Sequence, residues 1–114
     1  MTDKITIRKA TGKWSVRSGG AILGETLHAL ELLEGDHDPV IYFPRVDIAM
    51  AFLDQTDKTS QCSTKGTATH YSIVNKSSVT ENAAWSYEDP SDAVSEIKGY
   101  LAFYQSDSVK VEQL

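Results

Sequence analysis

If this chain performs chemistry, the turn Cys62-Ser63-Thr64-Lys65-Gly66 is where it would happen. Cys62 is the only cysteine and the strongest nucleophile present. A thiol becomes a useful nucleophile where a nearby cation lowers its pKa, and Lys65 can bring such a charge across a turn. The competing reading is a small buried hydrophobe packing a loop, since free cysteines are among the most buried residues. A cysteine–histidine pair would need a base delivered by folding. The histidines are His28, His37 and His70, and His70, downstream on an expected strand, is the best placed of them.

The same turn offers a second chemistry. Lysine supplies a point charge for an anionic or carbonyl group, and glycine lets a ligand approach the backbone closely. It is not a P-loop, because the upstream glycine and a long following helix are missing. The bland alternative is a hairpin turn with a solvated lysine. A second distinctive stretch, Tyr42-Phe43-Pro44-Arg45-Val46-Asp47, precedes the turn. Asp47 is explained by capping a short helix. Tyr42, Tyr71, Trp85, Tyr87 and Phe103 fall on expected strands and can be core or pocket wall. One cysteine and scattered histidines do not make a zinc site, so no metal and no cofactor is expected. Asp36-His37-Asp38 reads as a solvated turn, and Glu88-Asp89 as loop and cap rather than a glycosidase pair. No nucleophile-elbow motif announces a Ser/His/Asp triad.

The elements that must hold these residues are mainly strands. Residues 13–17 alternate with period two, Ser18-Gly19-Gly20 is a hairpin turn, and residues 21–26 return. Residues 27–34 suit strand or helix, with strand preferred. Residues 40–43 are apolar throughout and read as a central buried strand. A short helix is expected over residues 48–53, burying Ile48 and Phe52, and then a polar loop over 54–60. Strands follow at 66–75 and 78–87. Asp89-Pro90-Ser91-Asp92 starts a second short helix, running to residue 98 with Ala93, Val94 and Ile97 buried and Gly99 closing it. Residues 100–104 and 109–111 complete a mainly β fold, a bent or curled antiparallel sheet or a barrel-like sandwich with two short helices.

Length and composition fit one domain over residues 1–114, with 1–12 as a loosely attached segment carrying Lys4, Arg8, Lys9 and Lys13 as a solvated cluster. A net charge of −5 argues against nucleic acid and against an anionic membrane surface as partners. No apolar run reaches membrane-spanning length, no secretion signal opens the chain, and one cysteine cannot form an internal disulfide. A reducing, cytoplasmic setting is expected.

Three ordered motifs carry a resemblance. Tyr42-Phe43-Pro44-x-x-Asp47, Thr59-x-x-Cys62-x-x-Lys65-Gly66-x-Ala68-x-x-Tyr71 and Asn82-Ala83-Ala84-Trp85-Ser86-Tyr87-x-x-Pro90 resemble the small bacterial family of domains of unknown function numbered 427, also labelled nucleotidyltransferase-like. The resemblance implies a β-tent type of fold with little helix. The transferase label implies acidic magnesium ligands on a strand, and this chain shows no such trio. The family usually places proline and then an aromatic residue where Ser63 and Thr64 stand.

Three functions are therefore expected, in order. The first is a small-ligand pocket around the Cys62–Gly66 turn, bounded by Tyr42, Pro44, Asp47, Thr59, Tyr71, Trp85 and Tyr87. The second is an enzyme, either with Cys62 as nucleophile activated by Lys65 and His70, or a transferase as the family label suggests. The third is an interaction domain without a site, for which residues 40–43 would be the seam of a homodimer.

Overall fold

The computed structural model describes residues 4–76 and 78–114. The chain is built from strands β1 (Ile5–Lys9), β2 (Trp14–Ser18), β3 (Ala21–Thr26), β4 (Leu30–Glu34), β5 (Val40–Tyr42), β6 (Leu53–Cys62), β7 (Gly66–Val74), β8 (Val79–Ser86), β9 (Ala102–Phe103) and β10 (Val109–Gln113). They form three antiparallel sheets, ordered β1-β4-β5, β10-β2-β3 and β6-β7-β8-β9. None of these sheets closes into a barrel. Two isolated bridges stitch them together: Gly24 with Ile48, and Phe43 with Leu101.

The apolar run of residues 40–43 has a different cause from the one expected. β5 is an edge of its sheet, not a central strand. Its alternation instead feeds two cores at once. Tyr42 packs with Leu32, Ala68, Tyr87, Val94 and Ile97. Phe43, pointing the opposite way, packs with Val16, Leu23, Ile73, Leu101 and Phe103. β9 does the same, with Ala102 in one cluster and Phe103 in the other. A strand between two cores must be apolar on both faces, whatever its place in a ladder.

Two strands were hidden from the sequence. The N-terminal segment, expected as a solvated tail, contributes β1, with Ile5 opposite Glu34 and Ile7 opposite Leu32. Ile5 and Ile7 pack on the core that holds Tyr42 and Leu32, and Arg8 pairs with Glu31 at 2.7 Å. The expected polar loop 54–60 is the long strand β6. It pairs only with β7, so its side chains stay largely in water and carry no apolar alternation. Asp54, Asp57 and Lys58, with a register break between Gln55 and Thr59, discourage a further strand from adding to this edge.

The expected helices are 3-10 turns at Arg45–Asp47, Met50–Phe52 and Asp92–Ile97, the last kinked at Val94. Asp47 caps nothing: it lies inside the first turn, and its carboxylate accepts from Thr26 Oγ1 at 2.8 Å. Ile48 is extended and breaks the expected helix, so Phe52 ends 46% exposed rather than buried. Val94 and Ile97 are buried as expected, whereas Ala93 is exposed. Among the described residues, no helix is long and apolar enough to cross a membrane.

Candidate functional site

β6 and β7 meet in a tight hairpin in which Cys62 pairs with Gly66 around the loop Ser63-Thr64-Lys65. Gly66 sits at φ 110°, a left-handed conformation that a side chain would strain. The loop is fastened from outside: Ser91 donates its backbone N–H to Lys65 O at 3.1 Å and its hydroxyl to Thr64 O at 2.6 Å. Ser91 stands at the head of the Asp92–Ile97 turn but makes no side-chain cap there, and it spends its hydroxyl on the Thr64 carbonyl instead. Ser91→Ala should loosen this hold, costing about 1 kcal/mol, with faster amide exchange around Thr64 and Lys65.

So held, Lys65 reaches back across the fold to β4. Its Nζ donates to Glu34 Oε1 at 2.8 Å, and the two side chains are only 12% and 23% exposed. Burial alone would lower the Lys65 pKa, but the Glu34 bond and the neighbouring Tyr87, Cys62 and Glu34 raise it overall, so the ammonium is secure. The pair lies in a cleft of about 190 Å³ between the first and third sheets. Leu32 and Val40 supply its apolar lining, Tyr42, Trp85, Tyr87 and Tyr104 its aromatic walls, and His37, Asp38 and Ser60 line it further. Tyr42 accepts from Trp85 Nε1 at 3.4 Å, and their rings meet edge to face. Burial pushes the Tyr42 phenol well above its ordinary value, so it stays protonated.

Cys62 lies beside this cluster, partly exposed, with its Sγ 3.3 Å from Thr64 Oγ1. Burial pushes the thiol up, but the Thr64 hydroxyl, the N–H groups of Thr64 and Lys65 and the Lys65 charge outweigh it, and the net direction is down. Thr64 is therefore the thiol's hydrogen-bond partner. His70, the histidine expected to serve it, is engaged elsewhere. His70 is fully buried on β7, its Nε2 3.4 Å from Tyr104 Oη and its ring stacked on Tyr104. Its Nδ1 has no hydrogen-bond partner among the described residues.

Burial, with the Lys58 charge second, lowers the His70 pKa. A histidine that folds neutral stabilises the fold fully above its ordinary 6.5, and that contribution is lost as pH falls through the lowered folded value. Thermal denaturation between pH 7.5 and 5 should show stability falling with acid. His70→Phe should flatten that slope. An unchanged slope would remove His70 as its cause.

The expected site residues divide. Tyr42, Lys65, Trp85 and Tyr87 line one cleft, with Cys62 and Gly66 in the turn that bounds it. Thr59 does not line it. Ser60, pointing the other way on β6, does. Pro44 leads into the first 3-10 turn, and Asp47 lines a separate shallow depression with Lys13, Glu25 and His28. Tyr71 belongs to a third arrangement, in which its hydroxyl donates to Glu88 and the Arg45 guanidinium lies 5.8 Å over its ring. Arg45 donates to both Glu88 oxygens at 2.9 and 2.7 Å and to Gly99 O at 3.1 Å, while Ser86 donates to Glu88 at 3.1 Å. Every partner is satisfied there, and the network ties the Arg45 turn to the end of β8.

Glu34 and Tyr104 escaped the sequence reading, and His37 and Asp38, read there as a solvated turn, line the cleft. Glu34 had a signal: it shares a face of β4 with Leu30 and Leu32, and a carboxylate on a buried face needs a partner. Among the described residues, no group of three or more His, Cys, Asp or Glu side chains is placed to hold a metal ion.

No curated protein matches the chain. A family model does match, over residues 6–114, nearly the whole sequence and all three motifs. On that match the chain belongs to the family described as Domain of unknown function (DUF427).

Proposed function

We propose that this protein is a small-ligand-binding domain whose site is the cleft between β4, β5 and the β6–β8 sheet. One observation carries the reading: a mostly buried Lys65–Glu34 ion pair faces a cleft walled by four aromatic side chains. Desolvating such a pair is costly, and a hydrophobic pair of similar volume often serves stability as well or better. A fold that keeps the pair at the wall of an open cleft gains polar anchors for a guest. A screen of polar fragments by thermal shift tests this, with Ser60→Trp as a variant that fills the cleft from its exposed rim. A ligand at 100 times its Kd should add roughly 2.7 kcal/mol to the wild type and little to Ser60→Trp. Fragments that stabilise both proteins equally, or none that stabilise either, would sink the proposal.

The lowered thiol pKa supports a second reading, in which Cys62 reacts covalently with the guest. The alkylation rate against pH should then give a midpoint below that of an unperturbed thiol, and Lys65→Ala should raise it. Labelling that waits for unfolding would make Cys62 a packing residue.

A further inference from the structure

Resting on the ligand-binding reading, we infer that the guest's anchoring group is uncharged and planar, presenting a hydrogen-bond acceptor beside a donor, as an amide does. The geometry of the Lys65–Glu34 pair separates the three charge classes. An anion seeking Lys65 finds the Glu34 carboxylate already 2.8 Å away and Asp38 also on the lining. To take the ammonium it must displace Glu34 and strand a mostly buried carboxylate. A cation seeking Glu34 meets the mirror-image obstacle in Lys65. An uncharged group with adjacent acceptor and donor avoids both. Its carbonyl accepts one of the remaining Lys65 N–H groups, its N–H donates to a free lone pair of Glu34, and the ion pair stays closed.

The rest of the cleft agrees. The Tyr87 hydroxyl makes no hydrogen bond among the described residues, although the residue is buried and lines the cleft, so it can add a donor to the same carbonyl. Trp85 and Tyr104, with ring centroids 4.4 Å apart, offer flat aromatic surface to a flat guest. A volume of about 190 Å³ is below the roughly 300–1,000 Å³ of drug-sized sites. The group held at the ion pair is therefore ring-sized, and a neighbouring depression of about 640 Å³ that shares Asp38, Val40, Trp85 and Tyr104 has room for the rest of a larger guest.

A series that keeps the phenyl ring and changes the charge of its head group tests the inference on the full chain: benzamide, benzoate and benzylammonium, followed by amide chemical shifts of Lys65 and Tyr87. Benzamide should bind at least tenfold tighter than either ion, and Ser60→Trp should abolish its binding. The Lys65→Met/Glu34→Leu double variant should lose the preference for the amide. If benzoate or benzylammonium binds in the cleft as tightly as benzamide, the charge class is overturned while the cleft stands. If none of the three binds, the fragments found by the screen decide. Uncharged hits support the inference and ionic hits overturn it. With no hits at all, the ligand-binding reading falls, and this inference with it.

Discussion

Gly24→Ala is expected to destabilise the fold by about 3 kcal/mol, lowering Tm by roughly 15 °C. A Cβ at position 24 would lie 2.4 Å from the Asp47 carbonyl oxygen, 2.6 Å from Ile48 Cδ1 and 3.3 Å from Ile48 Cα. The first and last of these are backbone atoms, which cannot swing aside. Gly24 is where β3 and the Arg45–Asp47 turn touch, through the Gly24–Ile48 bridge and the Ala49 N–H donated to Leu23 O at 2.8 Å. Forcing them apart would also pull Asp47 from Thr26. Gly20→Ala is the control: a Cβ there meets nothing within 4 Å, and its effect should stay within about 0.5 kcal/mol. Equal effects of the two substitutions in thermal denaturation would show that the contact is not close-packed.

The second large effect concerns the ion pair at the cleft wall. Lys65→Met and Glu34→Leu should each cost about 2 kcal/mol, less than for a fully buried pair because both side chains retain some exposure. Each single variant strands one charge against Tyr42, Tyr87 and Leu32. The double variant should return to within about 1 kcal/mol of the wild type, since two apolar groups then replace two paired charges. Simple additivity of the singles in a denaturation cycle would show that the pair is not coupled. Recovery in the double variant would mean that stability does not require these charges.

Sequence reasoning reached the strands whose side chains alternate, because burial on one face writes a period of two. It missed β6, whose exposed polar residues obey no period, and β1, whose short alternation looked like a charged tail. The candidate site was legible where it is local: Cys62, Lys65 and Gly66 lie in one hairpin. It was illegible where it is not. Glu34 lies 31 residues from Lys65, and the two meet through the pairing of β4 with β5, the bridge of Phe43 with Leu101 and the core that Leu32 and Tyr42 share with Ala68 and Tyr87. Asp47 shows the opposite failure. An acid before an apolar run is a sound cap signal, yet a close approach at Gly24 and a waiting Thr26 hydroxyl claimed it first.

The bridge between Phe43 and Leu101 can be viewed mechanically. Its reciprocal bonds, at 2.8 and 2.9 Å, clasp two sheets like leaves of a book, and the Lys65–Glu34 contact is a second clasp across the same opening. The spread of the leaves sets how wide the cleft gapes. A guest seated on Lys65 and Glu34 would thus act as a bookbinder's stitch, and occupancy would be felt at Phe43 and Leu101 as slower exchange of amides it never touches.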